Sequence, residues 1–112
     1  MLIKTKYKPE AGKTVVLRLV TGEELVGRVH SVDEKTISIT KPIAIQMRMV
    51  SAQEAGLGFA PFMGAVDEDS IFTFSFDRLV VAPMAPREDI DNSYLHATTG
   101  LVAASPSTIL KG

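Results

Sequence analysis

"LRLVTGEELVGRVHSVD", residues Leu17 to Asp33, alternates apolar and polar side chains around two glycines and closes on an aspartate. With Val15 added upstream, Val15, Leu17 and Leu19 fall on one face of an extended chain and Val16, Arg18 and Val20 on the other, the period of two that a β-strand imposes. A first strand is therefore predicted over 14–21. Gly22, in "TGEE", is free to take the positive φ of a tight hairpin turn, and a second strand follows from Leu25 to Val32. Gly27 interrupts that second strand, where glycine marks a strong bend or the close approach of another backbone. Asp33 opens the turn "DEK" into a third strand. The sheet this stretch implies is sharply curved.

Outward from there, Ile37, Ile39, Ile43, Ile45, Met47 and Met49 carry the alternation onward across thirteen residues, a length that suits a sheet that curls. Pro42 cannot donate to a ladder and so marks a bend or an unpaired edge. "SAQEAGLGFAPFMGAVDEDS", residues 51–70, reads as a loop whose length and apolar content ask for a function or a partner surface. "IFTFSF" gives a fourth strand, Ile71 to Phe76, with Phe72, Phe74 and Phe76 on one face; "LVVAPM" gives a short fifth, Leu79 to Pro83. Beyond Pro86 the period changes. Ile90, Tyr94, Ala97 and Leu101 fall at helical spacing, acids crowd the first turn and Gly100 stands as a C-cap, which predicts an amphipathic helix over 87–101. A helix this short is marginal in water by itself, so Ile90, Tyr94 and Leu101 are expected to pack on the sheet. The domain proper is read as 13–86, preceded by an arm or edge strand over 1–12, with Ile3, Thr5 and Tyr7 between lysines, and followed by a small polar tail over 102–112.

At 112 residues the chain holds one domain, and its net charge of -1 excludes a globally basic nucleic-acid coat. It has no cysteine, which removes disulfides, thiolate metal sites and cysteine nucleophiles together. "MLIKTKYKPEAGK" lacks the apolar core of a signal peptide, and no stretch approaches the length of a membrane-spanning helix. The expectation is a soluble cytoplasmic protein with no membrane association. His30 and His96 sit in no metal-ligand spacing, and the acid runs Asp67, Glu68, Asp69 and Glu88, Asp89, Asp91 lack the spaced ligands and glycine of a calcium loop. Gly56 and Gly58 do not follow a strand and open a helix, as a dinucleotide site requires, and Ser31 and Ser93 have no partnering base. The residues thus point away from an enzyme and from any metal or cofactor. Lys4, Lys6, Lys8 and Lys13 form the one basic concentration, which reads first as a solvated arm and second as a phosphate-tracking one.

Five short, bent antiparallel strands with glycines at hairpin and bend describe a mostly β fold, a small barrel of the Sm, SH3 or OB kind, among which periodicity does not choose. The spacing does. "LVTGEELVGRVHSVDEKTISI", Leu19 to Ile39, resembles the first sequence motif of the Sm-like superfamily, which includes Sm, LSm and bacterial Hfq proteins: a hairpin glycine, Gly22, a second glycine five residues on, Gly27, and an aspartate six beyond, Asp33. The resemblance implies a five-stranded Sm-like barrel, here with a long loop between strands three and four and a C-terminal helix. It also implies a homo-oligomeric ring in which the fourth strand of one subunit pairs with the fifth of the next. Ile71, Phe72, Phe74 and Phe76 on one edge, and Leu79, Val80 and Val81 on the other, are then the interface candidates.

In the family, RNA is held around a central pore by the turn after the motif aspartate and by the turn between strands four and five. The resemblance therefore nominates Asp33, Glu34, Lys35, Thr36 and Arg78. The sequence departs from the family at these turns. Lys35 stands where the family places a base-stacking aromatic, Ile37 where the Sm pattern has asparagine, and Arg78 follows Asp77 without the glycine of the Sm version or the Lys-His pair of the bacterial one. A lysine can meet phosphate but offers no stacking face. The helix also follows the strands, whereas the family's usual helix precedes them. Two functions are expected from this reading: a ring that binds single-stranded RNA as chaperone or scaffold, or a ring-forming interaction module without RNA that meets a protein partner through residues 54–64 and the helix.

Overall fold

The computed structural model describes residues 7–49 and 51–99. The expected arm residues Ile3 and Thr5, the lysines Lys4 and Lys6, the helix-end residues Gly100 and Leu101 and the tail 102–112 lie outside them. The chain is mostly β, a five-stranded antiparallel sheet followed by one helix. Its elements are β1 (Thr14–Arg18), β2 (Glu24–Val32), β3 (Thr36–Met49), β4 (Ala55–Pro61), β5 (Ile71–Ser75), a 3-10 turn over Phe76–Arg78 and α1 (Glu88–Thr98). The ladder order is β1-β2-β3-β4, and β5 pairs with β3 as well.

β1 and β2 form a hairpin in which Leu17 faces Leu25 and Val15 faces Gly27. Gly22 takes a φ of +105° in its turn, a region that costs an L side chain dearly and glycine almost nothing. Between the pairs Val26–Ile43 and Arg28–Thr40, β2 supplies only Gly27 whereas β3 supplies Lys41 and Pro42, so β3 bulges there. Lys41 adopts a φ of +50°, the one positive φ of a non-glycine residue among the described residues, and Pro42 withholds an N–H from the ladder. The fourteen-residue β3 is thereby divided. Thr36–Thr40 pairs with β5, and Ile43–Met49 pairs with β4.

This division corrects the expectation of a structureless loop over 51–70, since its middle is the strand β4. Gly56 and Gly58 disguise it, for glycine has little strand preference of its own. The pairing is supplied by β3, and Arg48 lies so close over Gly58 that a Cβ there would stand 2.8 Å from its Cδ. Past β4 the chain turns inward: the Phe62 ring lies 6.0 Å from Phe72 and 6.1 Å from Phe74, centroid to centroid.

The expected fifth strand, Leu79 to Pro83, is also corrected. It is not a strand but a segment touching β1 and the residues just after it at two isolated bridges, Val16–Met84 and Leu19–Leu79. From one bridge to the other, this segment advances from 79 to 84 while β1 advances only from 19 to 16, so the surplus residues lift off and no continuous ladder forms. Pro83, with no N–H, sits in the lifted part. The sheet accordingly does not close, although Arg78 to Met84 follows β1 through Val20 N–H to Arg78 C=O (2.8 Å), Val80 N–H to Arg18 C=O (2.9 Å) and a mutual pair between Val16 and Met84 (2.7 and 3.1 Å).

One face of the sheet carries the core. Val15, Leu17, Val29, Ile37 and Ile39 are buried there, with Tyr7, Phe72, Phe74, Phe76 and Leu79 packed against them. The period of two places the five buried side chains together from β1, β2 and β3. α1 attaches to the backbone at the β3 bulge. Tyr94 is completely buried, and its hydroxyl donates to the carbonyls of Lys41 (2.8 Å) and Thr40 (3.3 Å). Ile90 is half-buried and shares a cleft with Val16, Ile45, Leu57 and Met84. The helix starts with Glu88, Asp89 and Asp91, favourable against its N-terminal partial charge, and Arg87 grips Asp89 through two bonds of 3.0 and 2.9 Å. Among the described residues no helix is long and apolar enough to cross a membrane.

Candidate nucleic-acid interface

The turn between β2 and β3 is built by Asp33. Its Oδ1 accepts the backbone N–H groups of Lys35 and Thr36, each at 2.8 Å, and the Thr36 hydroxyl lies 3.2 Å from both carboxylate oxygens. The Asp33 N–H closes the turn on the Thr36 carbonyl at 3.0 Å. A short acidic side chain two residues ahead of an N–H fits this geometry without strain. Those two backbone donors, first Lys35 and then Thr36, hold the Asp33 carboxyl below its ordinary value. Asp33 is therefore committed to shaping the turn. Glu34 and Lys35 at its tip are exposed.

The second nominated turn is the 3-10 turn Phe76–Arg78. The Ser75 hydroxyl donates to Asp77 Oδ1 at 2.7 Å and is the leading cause of the lowered Asp77 pKa. The Arg78 backbone is tied to β1 through Val20, while its side chain is exposed. What joins the two turns is one backbone hydrogen bond, from the Phe76 N–H to the Lys35 carbonyl at 2.9 Å, which continues the Thr36–Ser75 register of β3 and β5. Asp33, Glu34, Lys35, Thr36 and Arg78 are thus brought to one end of the sheet. Among the described residues neither the Lys35 ammonium nor the Arg78 guanidinium enters an ion pair. Asp33, Glu34 and Asp77 stand at the same two turns, so the carboxylates there outnumber the cations.

The other nominated residues divide by burial. Phe72, Phe74, Phe76 and Leu79 turn their side chains into the chain's own core, whereas Ile71, Val80 and Val81 are 52%, 59% and 49% exposed. Phe76 and Leu79 to Pro83 line a shallow cleft of about 360 Å³ beside the second turn. Residues 54–64 lie elsewhere, in and around β4 on the second half of β3. Lys13, from the basic arm, pairs with Glu10 at 2.9 Å and lies over the Tyr7 ring. His30 and His96 are both exposed, and among the described residues no group of three metal-ligating side chains comes together.

The exposure of Met47 and Met49 beside Leu57 of the expected 54–64 surface was not foreseen from the sequence. Met47, Met49 and Leu57 are 70%, 69% and 36% exposed on the hairpin that β3 and β4 form. Its signal was the apolar alternation of β3, which runs on past the last residue that β2 covers, Ile45. Compared with known proteins, the chain matches no family model and no curated sequence.

Proposed function

We propose that the chain is an Sm-like, ring-forming subunit that holds single-stranded RNA between its two adjacent turns, as a chaperone or scaffold. The observation that carries this reading is the Phe76 to Lys35 backbone hydrogen bond, which brings the turns bearing Lys35 and Arg78, neither of them in an ion pair among the described residues, to one end of the sheet. The reading is supported by Arg78 to Met84 following the first strand, by the positive φ of Gly22, by the close approach of Ile39 to Gly27 and by the turn that Asp33 holds. The ring closes when the free edge of β5 pairs with the outer edge of the Leu79 to Pro83 segment of a neighbour. The exposed Ile71, Val80 and Val81 are the apolar groups such a contact covers.

Lys35 and Arg78 meet the RNA backbone as phosphate ligands, since neither turn offers an aromatic ring to a base. Lys35→Ala and Arg78→Ala are each expected to weaken the binding of a short uridine-rich oligonucleotide several-fold, read by fluorescence anisotropy, with the oligomer intact. Each lost phosphate contact also lowers the slope of log affinity against log salt by about 0.7. Unchanged affinity in both variants overturns the RNA reading. The excess of carboxylates at the two turns favours a second reading, a ring that serves as a protein-interaction module, under which the wild-type oligomer takes up no RNA at low salt.

A further inference from the structure

Two tyrosines hold the two ends of one rung of the sheet. Thr14, Arg28 and Thr40 stand opposite one another across β1, β2 and β3. The Tyr7 hydroxyl donates to the Thr14 carbonyl at 2.7 Å, and the Tyr94 hydroxyl reaches the Thr40 carbonyl at 3.3 Å. Those carbonyls are two strand spacings, about 10 Å, apart. Asp91 precedes Tyr94 by three residues, on the same face of α1, and so is turned to the sheet as well. Among the described residues its Oδ1 is closed to solvent and has no hydrogen-bond partner. Its charge is felt at the Tyr7 hydroxyl, whose pKa is raised first by burial and then by Asp91.

A carboxylate oxygen withdrawn from water and left without a donor is costly and rare in folded chains. The described cations of this region are engaged elsewhere: Lys13 pairs with Glu10 and Arg87 with Asp89, each at 2.9 Å, and Arg28 donates to the Gly12 carbonyl at 3.2 Å. Immediately before Tyr7, however, the sequence runs MLIKTK, with Lys4 and Lys6.

We infer that this arm, residues 1–6, seats a lysine ammonium on Asp91 and so straps the outer edge of β1 to α1. The occupant follows from tether and charge. The arm joins the fold at Tyr7 and carries two cations in its last three residues, whereas the C-terminal tail leaves α1 beyond Thr98 and carries its one cation, Lys111, next to its far end. A helix of eleven residues, marginal alone, gains a second anchor beside Tyr94. The strap uses no residue of the two turns and does not rest on the RNA reading.

Full-length Lys6→Cys/Asp91→Cys, in a chain that otherwise has no cysteine, is oxidised by glutathione disulfide, which takes up the two thiol hydrogens. An intramolecular disulfide, read by intact mass, is expected at many times the yield of Lys6→Cys/His96→Cys, whose second cysteine stands at an exposed position later in α1. Equal yields, no cross-link, or cross-links only between chains each overturn the proposal, the last by giving the seat to the arm of a second copy. Urea unfolding supplies the second measurement. Asp91→Asn is expected to lower the midpoint several times more in the wild-type chain than in Lys4→Ala/Lys6→Ala, where the carboxylate has already lost its partner. Equal shifts in the two backgrounds overturn the strap.

Discussion

Gly27 illustrates how a single absent atom shapes the sheet. A Cβ at this position would lie 2.7 Å from Ile39 Cδ1 and 3.2 Å from Ile39 Cβ, and Ile39 is fully buried. Any side chain at 27 must push a core residue that has nowhere to go. Gly27→Ala is expected to cost about 1–3 kcal/mol by overpacking, measured by urea unfolding. Ile39→Val removes the Cδ1 that makes the closest contact, so the double variant should lose less than the two single losses together. Strict additivity would place the cause of the loss elsewhere. Asp33 works in the opposite sense, by a group that is present. Its carboxylate collects two backbone donors that the turn would otherwise leave to water, and this stabilisation holds above the ordinary carboxyl pKa of 3.8 and fades as pH falls through the lower folded value.

At the scale of elements, the bulge at Lys41 and Pro42 and the helix α1 form one unit. The buried Tyr94 hydroxyl is shared between the carbonyls of Thr40 and Lys41 at the bulge. Tyr94→Phe keeps the ring and removes those bonds, and should cost about 1–2 kcal/mol in urea unfolding at neutral pH. A loss well below this range would mean that the bulge carbonyls find other donors. Burial pushes the Tyr94 hydroxyl from 10.0 up to about 12. Its contribution is therefore complete below pH 10.0 and is lost as pH rises through about 12, because the unfolded chain ionises first. The stability gap between wild type and Tyr94→Phe should narrow over that interval, and a constant gap would show that Tyr94 does not titrate on unfolding. β4 depends on the same bulge. Once β3 bends, its second half leaves β2 after Ile45, and the hairpin with β4 extends beyond the rest of the sheet.

For the whole molecule, the arrangement of edges matters more than any one contact. In the proposed ring, β5 and the Leu79 to Pro83 segment are different surfaces, so pairing between them is head-to-tail and propagates into a ring or a filament. Val81 is about half exposed on that segment. Under the proposed ring, Val81→Asp is expected to reduce the mass measured by light scattering to that of a single chain, since a carboxylate at a buried strand contact has no partner. Retention of a larger oligomer would exclude ring closure through this edge. Single-stranded RNA would then have to be held by isolated turns, each carrying one cation against neighbouring acids, too few contacts for tight binding.

Val15 and Leu17 could be read from the sequence as one face of the first strand, and Ile37 and Ile39 as one face of the third, because a strand's period of two is local; that these faces and Val29 share one core was not readable there. Gly22 and Asp33 were legible for the same reason: a positive φ and a carboxylate bonded two residues ahead are decided within a few residues of chain. The helix over α1 was legible from its spacing and its acidic start. The strand β4 was not, because glycines hide it and its partner is a distant half of β3. The lifting of residues 81–83 from β1 was equally hidden, being a mismatch of register between segments some sixty residues apart. The meeting of the two turns that carry Lys35 and Arg78 lay in the sequence only as a family resemblance, and in the structure it follows from a single β3–β5 register. Alternation and turn chemistry thus determined the inward face up to the bulge at Lys41 and Pro42 and where the chain reverses, whereas Met47 and Met49 beyond it are exposed. Only the tertiary structure decided which strands meet and which edges remain open, since those depend on backbone partners that local patterns do not identify.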